Sequence, residues 1–217
     1  MLNDRTRNAI LEVRDEARRQ GVSAFFTLHR EQSHLMRIGN NSVSLNTSED
    51  LTRLDVEVLD GRREGTYTVM GDIDTADVVR QALAIAVEKA RVSMAKDYEP
   101  IEPVVQADVE ESAQYDEGLE KLDPAVKAQT YARIMAAAGS SHNYSGSWSS
   151  GSTEVYVTGT AAAREAWHLG TDQQFTCVLK HPEYKWELVS NQTGWQVGQV
   201  TADGAVADFT DLLPVYE

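Results

Sequence analysis

Between Val22 and Ser93 the apolar residues switch period, and that switch narrows the possible folds more than any other feature of the chain. Val22, Ala24, Phe26 and Leu28 recur at every second residue, as do Leu54, Val56 and Val58, which is the mark of strands with one buried face. Gly39-Asn40-Asn41 and Asp60-Gly61 are turn sequences, because Gly, Asn and Asp tolerate positive φ. Leu35, Met36 and Ile38 are expected to continue after a short turn, Val43 and Leu45 to return, and Tyr67 and Val69 to form the next strand. After Asp74 or Thr75, either of which can cap, Val78, Val79, Ala82, Leu83, Ala86 and Ala90 recur at helical spacing. The small alanines on that face predict a helix lying close on the sheet. Residues 3–20 read as a preceding helix, with Asn3 as cap, Ile10, Val13 and Ala17 on one face and Gly21 just past its end.

Residues 97–122 change character. Pro100 and Pro103 bracket an extended piece, and Asp108, Glu110, Glu111, Asp116, Glu117 and Glu120 predict a solvated acidic linker with a short helical turn. Asp123-Pro124 then pairs a cap with a proline at the first helical position, and Tyr131, Ile134, Met135 and Ala138 form a stripe ended by Gly139. Ser140–Ser152 reads equally as a flexible loop or as a Ser-rich strand, since His142, Tyr144, Gly146 and Trp148 sit at period two. Thr153, Val155 and Val157 form a strand, Gly159 and Gly170 mark turns, and Phe175–Leu179 and Trp186–Val189 read as strands around His181-Pro182. The expected fold class is α+β in two successive units, each a helix plus an antiparallel or mixed sheet layer. The boundaries are an N-terminal domain over 1–96, the linker over 97–122 and a strand-rich central unit over 123–217.

No constellation carries a complete catalytic or metal-binding signature. His29 and His34 flank Glu31, but a zincin helix needs histidines four apart, and here the spacing is five in strand and turn context. The serine-rich run lacks a Gly-x-Ser-x-Gly elbow, so a hydrolase built on His142 and that run is a minor reading. No calcium loop, Walker lysine or Gly-x-Gly-x-x-Gly run is present. The lone Cys177, flanked by Phe175 and Val178, reads as a buried inert thiol in a reducing, cytoplasmic protein. No stretch is long and apolar enough for a membrane helix. A formal net charge of −14 disfavours direct nucleic-acid contact, which needs clustered Lys and Arg. Trp148, Trp167, Trp186 and Trp195 all lie in the second unit, and Tyr144, Trp148, Trp167 and Trp186 are candidates for a peptide or partner surface.

The run Ile38-Gly39-Asn40-Asn41-Ser42-Val43, then Val56-Glu57-Val58-Leu59-Asp60-Gly61, then Val79 through Ala90, resembles the N-terminal domain of the TldD/PmbA family, also called modulators of DNA gyrase. Leu119 to Ala138, with Leu122-Asp123-Pro124 leading a helix, resembles the start of that family's central region. The family's metallopeptidase members carry a His-Glu-x-x-x-His helix and a cysteine ligand, and nothing here matches either. The resemblance therefore implies a non-catalytic portion that shapes a cleft or dimer surface for proteolysis of unfolded peptides. Zinc is implied for the family's catalytic region and no cofactor for this chain, which ends where roughly half of such a protein would still follow. The implied partner is a second TldD/PmbA-like subunit, in a homo- or hetero-dimer. The alternative is a freestanding acidic adaptor with no peptidase connection.

Overall fold

The computed structural model describes residues 3–101, 114–139, 141–161 and 165–216. Their elements run α1 (Asp4–Arg19), β1 (Ser23–Gly39), β2 (Ser42–Asp60), β3 (Arg63–Met70), α2 (Ala76–Val92), α3 (Glu117–Glu120), α4 (Pro124–Ala138), β4 (Asn143–Gly159), β5 (Glu165–Lys180), β6 (Glu187–Gly194) and α5 (Ala202–Tyr216). The class is α+β, as expected. The sequence suggested a separate sheet layer in each of two units; instead all six strands join one antiparallel sheet, in the order β3-β2-β1-β4-β5-β6.

The physical reason is strand length. β1 and β4 have 17 residues each, β2 has 19 and β5 has 16, against about five or six for a common strand. In β1 the polar stretch His29–His34 interrupts the apolar alternation, and it does so without breaking the strand. Gly170 likewise lies inside β5 and makes no turn. Val43 and Leu45 belong to the same strand as Leu54, Val56 and Val58. The serine-rich run is strand, the second of its two readings. Asp108, Glu110 and Glu111 of the acidic linker lie outside the described residues, but the short helical turn is α3, capped by the Asp116 carboxylate on the Gly118 N–H. The helix α5 has no counterpart in the sequence reading.

The described residues gather into two compact units, each drawn from three stretches: Met1–Glu31, Leu51–Ser112 and Thr153–Leu169 in the first, Gln32–Asp50, Ala113–Ser152 and Gly170–Glu217 in the second. In the first, Ile10, Val13 and Ala17 of α1 and Val79, Ala82 and Ala86 of α2 bury against Phe26, Leu28, Leu54, Val56 and Tyr156. Asn3 caps α1 by accepting from the Thr6 N–H at 2.7 Å. Asp74 turns away from the α2 cap to accept from the Thr6 hydroxyl, and Thr75 occupies the cap position without a side-chain bond. Arg80 joins the helices by reaching Glu12 and Glu16 at 3.1 and 2.9 Å.

In the second unit, Tyr131 and Ile134 of α4, Leu119 of α3 and Ala205 and Phe209 of α5 pack on Tyr144, Trp148, Phe175, Cys177 and Leu179. The hairpin turn at Asn40-Asn41 has φ of 50° and 65°. Asn41 also extends the ladder sideways: its side chain accepts from the Tyr144 N–H at 2.6 Å and donates to the His142 carbonyl at 3.1 Å. Asn41→Gly keeps the positive φ and removes both bonds, so urea denaturation should register a loss of about 1–3 kcal/mol. A loss within the noise would mean that water replaces both.

Candidate functional site

The four aromatic candidates do not share one exposed surface. Tyr144 and Trp148 are 1% and 3% exposed and belong to the second unit's core. The Tyr144 hydroxyl donates to the Gly139 carbonyl at 2.8 Å, and the Trp148 indole donates to Gln173 at 3.2 Å while meeting Phe175 edge-on at 5.6 Å. Trp186 is half-buried, its ring tilted against those of His181 and His142 with centroids 5.2 and 5.8 Å away. Trp167 packs against the first unit's core and donates to Glu154 at 2.9 Å.

The chemically unusual group is one the sequence reading passed over. Lys127 of α4 is 1% exposed, and its ammonium donates to the His34 carbonyl at 2.9 Å and the Trp148 carbonyl at 3.3 Å. It also lies 5.7 Å from the centre of the Trp148 ring. No carboxylate stands within ion-pair reach of it among the described residues, and burial pushes its pKa down to about 8. The signal was available, because Lys127 is four residues before Tyr131 and seven before Ile134, on the stripe that must face inward.

Along β4 the buried side continues with Ser150 and Ser152. Ser152 donates to Glu120 at 2.7 Å, and the Tyr115 hydroxyl donates to the same carboxylate at 2.6 Å. Burial alone would raise the pKa of Glu120, but those two hydrogen bonds together with nearby positive charge, Lys121 included, hold the carboxyl below its usual range. The Ser150 hydroxyl is buried without a hydrogen-bond partner among the described residues. His142 is buried, with Nδ1 3.4 Å from the neighbouring Ser141 hydroxyl, and among the described residues no carboxylate orients the ring. That pairing lacks the third group a nucleophilic site needs.

Among the described residues no three His, Cys, Asp or Glu side chains gather at metal-binding distance. His29 lies 3.6 Å from Glu31, and His34 pairs with the Ser48 hydroxyl at 2.7 Å. Cys177 is fully buried, and burial pushes its thiol up to about 12, the opposite of a ligand thiolate. Among the described residues, then, the donors present form no site for the zinc that the resemblance implies for the family's catalytic region. No helix of the described residues is long and apolar enough to cross a membrane.

Two exposed features remain. The outer face of α2 forms a shallow apolar depression between Gln81, Ala84, Ile85, Glu88, Lys89 and Val92. The first half of β2, Ser42–Asp50, is exposed at every residue.

No protein-family model matches this sequence, and no curated protein matches it. Solved structures do. The structure of TldE from Thermococcus kodakarensis superposes with a TM-score of 0.77 at 12% identity, over 95% of this chain and 47% of that one. A "putative modulator of DNA gyrase" from Bacteroides thetaiotaomicron gives 0.71 at 10% identity, over 97% and 50%. A "putative modulator of a DNA gyrase" from Thermotoga maritima gives 0.65 at 10% identity, over 95% and 46%. The chain thus shares its fold with the proteins whose family its sequence resembles, and spans about half the length of each.

Proposed function

We propose that this chain is the non-catalytic portion of a TldD/TldE-like assembly, shaping a cleft or subunit surface for the proteolysis of unfolded peptides by a zinc-bearing partner region. The supporting observation is the likeness to TldE over 95% of the chain. Among the described residues no three metal donors gather, and burial keeps the Cys177 thiol protonated. In such an assembly the zinc would supply an activated water for attack on a peptide carbonyl. This chain would position the subunit that holds it.

The test is reconstitution. The purified chain should bind no stoichiometric zinc and leave an unfolded protein substrate intact. Adding a TldD-like subunit should yield a complex whose cleavage stops with chelator. One tightly held zinc per chain, or chelator-sensitive cleavage by the chain alone, overturns the reading. The adaptor reading is favoured by the apolar outer face of α2, where Val92 is 82% exposed. Ile85→Asp with Val92→Glu should then abolish partner capture, with no peptidase among the captured proteins. Trp148→Ala does not serve for this purpose, because it cuts into the core.

A further inference from the structure

We infer that the basic end of the first unit is a docking site for an acidic peptide segment carrying one apolar side chain. The inference stands apart from the peptidase reading, and neither depends on the other.

A cavity of about 180 Å³ opens where the residues after α1, the start of β1, the end of β2 and the last turns of α2 meet. Its wall is apolar, made by Val22, Val58, Leu59, Val87 and Ala90, all buried or half-buried. Its charged lining is Asp60 and Arg91, both exposed. Sites for drug-sized ligands take about 300 Å³ or more, so this one has room for a single side chain.

The surroundings are basic in a chain that holds 34 acids to 20 bases. Arg18 and Arg19 end α1 just before Gly21, which lines the cavity, while Lys89 and Arg91 lie in the last turn of α2. Arg62 and Arg63 follow Asp60 at the turn from β2 to β3. Cations in a last turn ordinarily offset the helix dipole, which is only about half a charge at each end. Six cations exceed what two helix ends use. Few carboxylates answer them. Glu88 holds Arg91, Glu64 holds Lys96, and Glu16, which feels the charge of Arg19, is bound to Arg80. Arg62 and Arg63 donate to the carbonyls of Tyr98 and Arg91, and Asp97 and Glu99 flank Tyr98 without pairing with Arg62. Among the described residues, Arg18, Arg19, Arg62 and Arg63 have no carboxylate within ion-pair reach.

Cavity and charge together choose the occupant. Guest carboxylates would meet guanidiniums that lack them, in the two-bond geometry that suits this pairing. An apolar guest side chain would leave water for the cavity wall, and Asp60 stands ready to accept from a guest backbone N–H. Nucleic acid offers phosphates but no such side chain, and a long polyanion also meets the −14 of the whole chain.

Fluorescence anisotropy with the full chain tests this, the probe being a short labelled peptide of aspartate and glutamate around one central leucine. It should bind with a Kd of about 10–100 μM at low salt. Serine in place of the leucine should weaken binding about tenfold, the effect of one buried apolar side chain. Arg18→Gln with Arg19→Gln and Arg62→Gln should weaken it at least about tenfold; all three residues are exposed, so the core is kept. Val87→Phe fills the cavity and leaves every charge in place, so it should erase the preference for leucine over serine. Thermal melting accompanies both variants, and the arginine variant carries the test if Val87→Phe does not fold. No binding at about 1 mM peptide, equal binding of the leucine and serine peptides, indifference to the arginine substitutions, or tighter binding of an oligonucleotide of equal charge would overturn the inference.

Discussion

Gly65→Ala is expected to lower folding stability by at least about 3 kcal/mol, and Gly65→Val to leave little folded protein. Gly65 sits on β3, buried under α2. A Cβ there would overlap the backbone carbonyl oxygen of Ala86 and the backbone nitrogen of Ala90. Backbone in a helix interior cannot rotate away as a side-chain tip can. The strand and helix would have to separate, which opens the contacts of Val79, Ala82 and Leu83 with the sheet. Gly65 is thus the strand side of a close approach whose helix side is the alanine face. Thermal melting and urea denaturation check the effect, with exposed Thr66→Ala on the same strand as control. A loss below about 0.5 kcal/mol would mean that α2 does not rest on β3 at this point.

That contact also shows what was legible in advance. Ala82, Ala86 and Ala90 sit at helical spacing, and small residues on an inward face announce close packing, so the seating of α2 was readable from residues alone. Asn3, Gly21, Asp123-Pro124 and Gly139 set helix ends by local chemistry that needs no tertiary context. The long strands were not readable, because the middle of β1 neither alternates nor carries a breaker, and its continuity comes from pairing with neighbouring strands. Helix α5 was missed although Ala202, Ala205, Val206 and Phe209 recur at helical spacing and the Thr201 hydroxyl caps it on the Gly204 N–H. The aromatic candidates drew attention by residue type, yet Tyr144 and Trp148 serve packing. Lys127 drew none, because lysine on an apolar stripe is easily read as surface.

Lys127→Met is expected to stabilise the protein at neutral pH by about 1 kcal/mol, and the advantage should fade as pH rises. The folded-state pKa of about 8 lies below the ordinary lysine value of 10.5. At pH 7 both states carry the proton, and the folded state bears the full penalty of a buried ammonium without a carboxylate. Between about 8 and 10.5 the unfolded chain holds more protons than the folded one, so the stability of the native protein gains with pH over that window. A difference of about 2.5 pH units corresponds to about 3 kcal/mol. Methionine matches the length of the stem and carries no charge, while forgoing two hydrogen bonds to the His34 and Trp148 carbonyls, each worth about 1 kcal/mol at most net. Other groups titrate nearby with the opposite sign. Burial raises Cys177 and Tyr144, each to about 12, so the unfolded chain loses those protons first and stability falls above their ordinary values. The native curve alone therefore mixes two trends. The quantity to measure is the difference between the native and Lys127→Met stabilities by urea denaturation from pH 7 to 11, in which the shared thiol and phenols cancel. A difference that shrinks through this window identifies Lys127 as the titrating group. A flat difference, or a variant less stable at pH 7, would show that the two carbonyls hold the ammonium more favourably than its burial opposes it.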